Sequence, residues 1–121
     1  MIIVDTGIWI DHLKTANAAL AVLGEQLEAL LHPYVLGEIA LGSLRDRTRF
    51  LNRMAALPQP PLARHMNVMQ LIESKRLYST GIGYIDAHLL ASACLLPGSR
   101  VWTDDKRLHA QAERLGVAYA P

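Results

Sequence analysis

Apolar and polar positions are grouped in blocks along this chain, and each block has the period of a recognisable element. Ile2–Asp5 is a short β-branched run with no polar face until Asp5 ends it, the pattern of a central strand covered on both sides by helices. A helical turn is expected at Ile8–Leu13. Ala16–Leu30 places Leu20, Leu23, Leu27 and Leu30 on one helical face with Glu25 and Glu28 off it, predicting an amphipathic helix. Leu31–Val35 reads as the next strand and Leu36–Leu44 as helix. Arg47–Leu57 continues as a second helical piece, with Phe50, Leu51, Met54 and Leu57 inward, until Pro58, Pro60 and Pro61 stop it.

Further on, Val68–Glu73 predicts a short helix. Gly81-Ile82-Gly83-Tyr84 forms a flexible approach to the helix Asp86–Leu96, which Pro97-Gly98 terminates. Apolar residues surround that helix, so it should be the most buried one. Arg100–Thr103 reads as a strand, His109–Leu115 as a helix closed by Gly116, and Val117–Tyr119 as a last strand. Alternating strands and helices predict a three-layer α/β/α sandwich with a mainly parallel sheet and right-handed crossovers.

Composition narrows the class. The 121 residues, 51% hydrophobic and 19% charged, suit one domain over residues 1–121 with a real core. A net charge of +1 argues neither for nor against a polyanionic partner. Cys94, the single cysteine, cannot form an internal disulfide, and its apolar run Leu89–Leu96 predicts a buried thiol in a reducing cytoplasm. The N-terminal apolar run is too short for a secretory signal, and no run of about 18 apolar residues predicts a membrane span.

Four carboxylates stand out: Asp5, Glu38, Asp86 and Asp105 each lie where an apolar run meets a turn or helix start. Taken singly, Asp5 and Asp86 could be helix caps, and either Asp104 or Asp105 a turn residue. Glu38 has no cation at its helical i±3 and i±4 positions. If the apolar runs are parallel strands and buried helices, the four can converge where α/β folds bind ligands. Two carboxylates about 5 Å apart repel by roughly 3 kcal/mol at an effective dielectric near 20, so convergence calls for a cation. An all-oxygen set without cysteine or paired histidine suits Mg²⁺, or Mn²⁺, and chemistry at phosphorus.

Other motifs are mostly absent. There is no G-x-x-x-x-G-K-[ST] loop, and Gly81-Ile82-Gly83 is only a fragment of a dinucleotide fingerprint. The five histidines make no i,i+4 metal pair; His88, two residues after Asp86, is the best placed for catalysis. Arg45, Arg49 and Arg53 recur every four residues, as a solvated helix stripe or a phosphate track. Trp9 and Trp102 read as core or rim aromatics, Trp9 being the better stacking candidate.

The segments Ile3–Ile10, Leu36–Gly42, Gly81–Ser92 and Trp102–Leu108 resemble, in order and over essentially the whole chain, the PIN-domain nucleases. The likeness is specifically to VapC-type toxins of bacterial toxin–antitoxin modules. The resemblance implies that Asp5, Glu38, Asp86 and Asp105 are the catalytic, metal-binding acids, the last through the pattern Thr103-Asp104-Asp105. It implies that Thr6 and Thr103 orient the acids or a bound water. It further implies Mg²⁺-dependent endonucleolytic cleavage of RNA, a homodimer, and neutralisation by a VapB-type antitoxin. A catalytically silent PIN-like binding module and a metal-dependent nuclease acting on DNA are the alternatives.

Overall fold

The computed structural model describes residues 1–121. The elements run β1 (Ile2–Val4), α1 (Thr6–Lys14), α2 (Ala18–Glu25), β2 (Ala29–Leu30), α3 (Pro33–Ala40), α4 (Arg47–Ala55), α5 (His65–Ser74), α6 (Tyr84–Leu95), β3 (Arg100–Trp102) and α7 (Lys106–Arg114). The sheet is parallel, in the order β2-β1-β3, with Ile2 opposite both Ala29 and Arg100. The chain therefore leaves β1 towards one edge and returns across it to the other. Right-handed crossovers put the helices of those two connections on opposite faces, the sandwich that the alternation of elements predicts. The reversal makes the gap between the C-terminal ends of β1 and β3 a topological switch point, where open α/β sheets bind ligands.

The core forms around β1. Ile3 and Val4 are fully buried and pack in one cluster with Leu30, Leu31, Val35, Leu89, Leu90, Val101 and Leu108. Each such side chain contributes about 1.5–3 kcal/mol relative to leaving it exposed. Helix α6 is covered along the unbroken stretch Ala87–Ala93, which matches its apolar circumference. No helix is long and apolar enough to cross a membrane.

Several boundaries differ from those the periodicity predicts. The leucine pattern of Ala16–Leu30 spans two elements, because α2 ends early. Leu27 takes a left-handed conformation (φ 56°), and the Leu27 and Glu28 N–H groups donate back to the Gly24 and Leu23 carbonyls. That is a Schellman closure with leucine where glycine is usual, so no residue type announced it. The second strand accordingly falls at Ala29–Leu30 and not at Leu31–Val35. His32 then caps α3, its Nδ1 accepting the Tyr34 N–H at 3.0 Å, and Pro33 occupies the first turn, where its missing N–H costs nothing.

Helices α1, α6 and α7 begin at Thr6, Tyr84 and Lys106, earlier than expected, since polar residues before each apolar run are recruited into the first turn. Helix α5 likewise extends to His65–Ser74. Val117–Tyr119 contributes only an isolated parallel bridge, Val101 to Ala118. Cys94 is exposed and not buried: it lies in the last turn of α6, beyond the covered stretch.

Candidate active site

Asp5 follows β1 directly. Its N–H donates to the Trp102 carbonyl of β3 at 2.9 Å, which locks it at the switch point. One carboxylate oxygen, Oδ1, accepts the Thr6 N–H at 2.8 Å as the cap of α1. The other, Oδ2, accepts the Thr103 hydroxyl at 2.7 Å. Thr103 is buried just past β3, and its Oγ1 in turn accepts the Asp105 N–H at 3.0 Å. Asp105 caps α7, with Oδ1 accepting from the Arg107 and Leu108 N–H groups at 2.8 and 3.0 Å. A single hydroxyl thus ties together acids that are a hundred residues apart in the chain.

Glu38 reaches the same place from α3. Its Oε1 accepts the Thr6 hydroxyl at 2.7 Å, so Thr6 holds Asp5 through its amide and Glu38 through its side chain. Glu38 is exposed. Asp86 stands in the first turn of α6, where its Oδ2 accepts the Gly83 N–H at 2.9 Å.

The electrostatics join the four. Partial burial raises the Asp86 carboxyl above its usual range; the Gly83 N–H opposes this, and the negative charges of Asp5, Asp105 and Glu38 add to it. The chain's ion pairs are Met1 with Glu28 and His109 with Glu113, so none of the four acids has a cationic partner. Asp86 Oδ1, Glu38 Oε2 and Asp105 Oδ2 accept no hydrogen bond. Free carboxylate oxygens without counter-charge are the donor chemistry of a hard divalent cation. The acids are gathered but not closed into a cage, since no three metal-ligating side chains stand in holding geometry.

A second cluster escaped the sequence reading. Helices α3 and α6, which carry Glu38 and Asp86, also carry Tyr34, Tyr84 and His88, with His32 capping α3 and His65 opening α5. His88 Nε2 lies 3.0 Å from the Tyr84 hydroxyl, which also contacts His65 Nδ1. Burial holds His88 below the usual histidine range, helped by His65, and lowers His32 to about 4, helped by His88. Both rings are neutral near pH 7, and His32 Nε2 and His88 Nδ1 are buried without a partner. The visible signals were modest: Tyr84 and His88 four apart on one helix, and histidine before Pro33.

The other candidates resolve simply. Trp9 and Trp102 are core residues, 7% and 4% exposed, so neither is free to stack on a ligand. Arg45 precedes α4 and does not extend a helical stripe with Arg49 and Arg53. Arg47 instead donates to the Ala40 and Gly42 carbonyls, capping the end of α3 that carries Glu38.

Comparison with known proteins gives a consistent answer. A family model described as the PIN domain matches residues 2–114. The chain is 46% identical over 120 residues to the protein named Ribonuclease VapC32 in two strains of Mycobacterium tuberculosis, CDC 1551 / Oshkosh and ATCC 25618 / H37Rv. Each alignment covers 99% of this chain and 97% of the relative.

Proposed function

Because the chain belongs to the PIN-domain family, we propose that it is a metal-dependent endoribonuclease, the toxin of a VapBC-type toxin–antitoxin module. Its residues 1–121 act as one nuclease domain in the cytoplasm, as a homodimer that a VapB-type antitoxin neutralises. The observation that carries the reading is that four carboxylates from four parts of the chain lie near enough for Asp5, Asp105 and Glu38 to act on Asp86, with no salt bridge to any of them.

In this reading Asp5 and Asp86 are the principal ligands of Mg²⁺, with Mn²⁺ able to substitute, and Glu38 and Asp105 complete the site or orient the attacking water. The bound cation would lower the pKa of that water and stabilise charge on the scissile phosphate. The protein's own part is positioning. Thr6 and Thr103 fix Asp5 and Glu38 by hydroxyl bonds, so the acids are aligned before substrate arrives. A cation held there would offset the neighbouring charges and favour the ionised form of Asp86.

The test is cleavage of purified RNA, single-stranded DNA and duplex DNA by the antitoxin-free protein, with Mg²⁺, Mn²⁺ or chelator. Metal-dependent cutting of RNA alone is expected. DNA cleavage would favour the nuclease acting on DNA, and a folded protein that neither binds metal nor cuts would favour the silent module.

A further inference from the structure

Two large aromatic rings stand open on the helices that carry Glu38 and Asp86. Tyr34 and Tyr84 are 42% and 43% exposed, although their neighbours His32 and His88 are buried. Tyr34 lies four residues before Glu38 on α3, one turn away on the same helical face. Tyr84 opens α6 two residues before Asp86. Both rings pack edge-on against His88, with centroids at 4.8 and 4.7 Å and interplanar angles of 71° and 84°. His32 supports Tyr34 from another side at 5.0 Å, and His65 supports Tyr84 at 5.5 Å. The Tyr84 hydroxyl is held by His65 and His88.

We propose that Tyr34 and Tyr84 are substrate-binding residues that stack the unpaired bases flanking the scissile phosphate of single-stranded RNA. The inference rests on the ribonuclease reading and adds the two residues that hold the bases on either side of the acids. An exposed aromatic ring is normally mobile, and ordering it on binding costs conformational entropy. Here the packed imidazoles of His32, His65 and His88 and a doubly held hydroxyl order the rings in advance, leaving area free for a ligand. One helical turn between Tyr34 and Glu38 is comparable with the reach from a nucleotide's phosphate to its base. Tyrosine offers a π-face to any base and requires only that the base be out of a duplex, so the platform selects loops and unpaired segments over helical RNA.

The experiment is an anisotropy titration of a fluorescein-labelled single-stranded oligoribonucleotide with the purified protein in chelator, where the strand stays intact. Tyr34→Ala and Tyr84→Ala should each weaken binding by about 5- to 100-fold. Tyr34→Phe and Tyr34→Trp, which keep an aromatic face at a position whose hydroxyl makes no hydrogen bond, should stay close to wild type, and Tyr84→Phe, which keeps the ring but loses the hydroxyl held by His65 and His88, should fall between wild type and Tyr84→Ala. An oligonucleotide with abasic residues should bind the wild type and the alanine variants equally weakly. Alanine variants that bind the intact strand like wild type overturn the proposal, even if they lose a protein partner instead. So does a wild type indifferent to abasic substitution. Metal-dependent RNA cleavage by the wild type is scored separately: cutting with unchanged alanine-variant affinity rejects the platform alone. A tyrosine-dependent affinity without cutting supports the platform while rejecting the nuclease.

Discussion

Helices α3 and α6 each serve two clusters of titratable groups that are managed in opposite ways. Glu38 and Asp86 join Asp5 and Asp105 in a site that is open to water, negatively charged and free of ion pairs. His32 and His88 join Tyr34, Tyr84 and His65 in a packed set in which burial keeps both buried imidazoles neutral. The histidine cluster removes its charge by burial, although His32 Nε2 and His88 Nδ1 have no partner within the protein. The acid cluster makes no salt bridge within the protein, so in the proposed reading a bound cation would complete it. Grouping like charges draws on a total domain stability of only about 5–15 kcal/mol, a cost that a bound cation would relieve.

The comparison breaks most visibly if one acid is neutralised. Asp5→Asn keeps the size and most of the hydrogen bonds but removes a charge from the centre of the network. RNA cleavage should fall by about 10³-fold or more, while the melting temperature in chelator stays level or rises. Asp86→Asn should behave likewise. Its carboxyl is raised in the fold, so the ionised form is costly at neutral pH and removing it relieves that cost. Near-wild-type turnover in either variant, from rate assays beside thermal melts, would remove these acids from the site.

The histidine cluster should fail through pH instead. The folded pKa of His32, about 4, lies below the unfolded 6.5, so the unfolded chain takes up the proton first. The sign follows: this contribution is intact above pH 6.5 and is lost as pH falls towards 4, amounting to roughly 3 kcal/mol for a fully buried ring. His88 acts in the same direction and Asp86 in the opposite one, since a raised carboxyl regains stability on protonation. His32→Asn retains a side-chain acceptor for the Tyr34 N–H and removes the titration. Melting curves in chelator from pH 7 to 4.5 should flatten in this variant, and an unchanged slope would refute the assignment.

A cation sharpens the contrast, because it should stabilise through one cluster and not the other. At about 100 times its dissociation constant a ligand specific for the folded state adds about 2.7 kcal/mol. Thermal shifts on titration with Mg²⁺ and Mn²⁺ should therefore be clear in the wild type, retained in His32→Asn and largely lost in Asp86→Asn. Equal shifts in all three proteins would mean that the ion binds elsewhere.

How much of this was legible in the sequence follows the range of the interactions. Asp5 and Asp105 are readable as strand-end acids because a short apolar run precedes each, and α6 as the buried helix because its apolar residues lack a polar side. The end of α2 is unreadable because Leu27 adopts a conformation that its residue type disfavours. The position of β2 depends on remote partners, β1 beside it and the Leu31 N–H donating to the Pro58 carbonyl, and such pairing has no local periodicity. The exposure of Cys94 depends on where the sheet stops covering α6, which its own apolar run does not encode. The histidine–tyrosine cluster draws on three helices and becomes visible only when α5 packs on α6.

The smallest effect tests the bond that makes the acid cluster one unit. Thr103→Val is nearly isosteric and keeps the buried methyl contact, but it removes the hydroxyl that donates to Asp5 Oδ2 and accepts the Asp105 N–H. Both acids remain, so the cation should still bind; what is lost is their fixed relation across β1 and β3. A displacement of under an ångström in a positioning group costs rate far more than affinity, and a lost hydrogen bond to a charged group is worth about 1.5–3 kcal/mol. Cleavage should therefore drop by roughly 10- to 100-fold, with the Mg²⁺ midpoint shifted much less. Thr103→Ser, which restores the hydroxyl, should recover most of the rate. If valine instead leaves the rate intact, Asp5 and Asp105 are aligned by their caps alone, and the Thr103 hydroxyl is not what joins the acids into one unit.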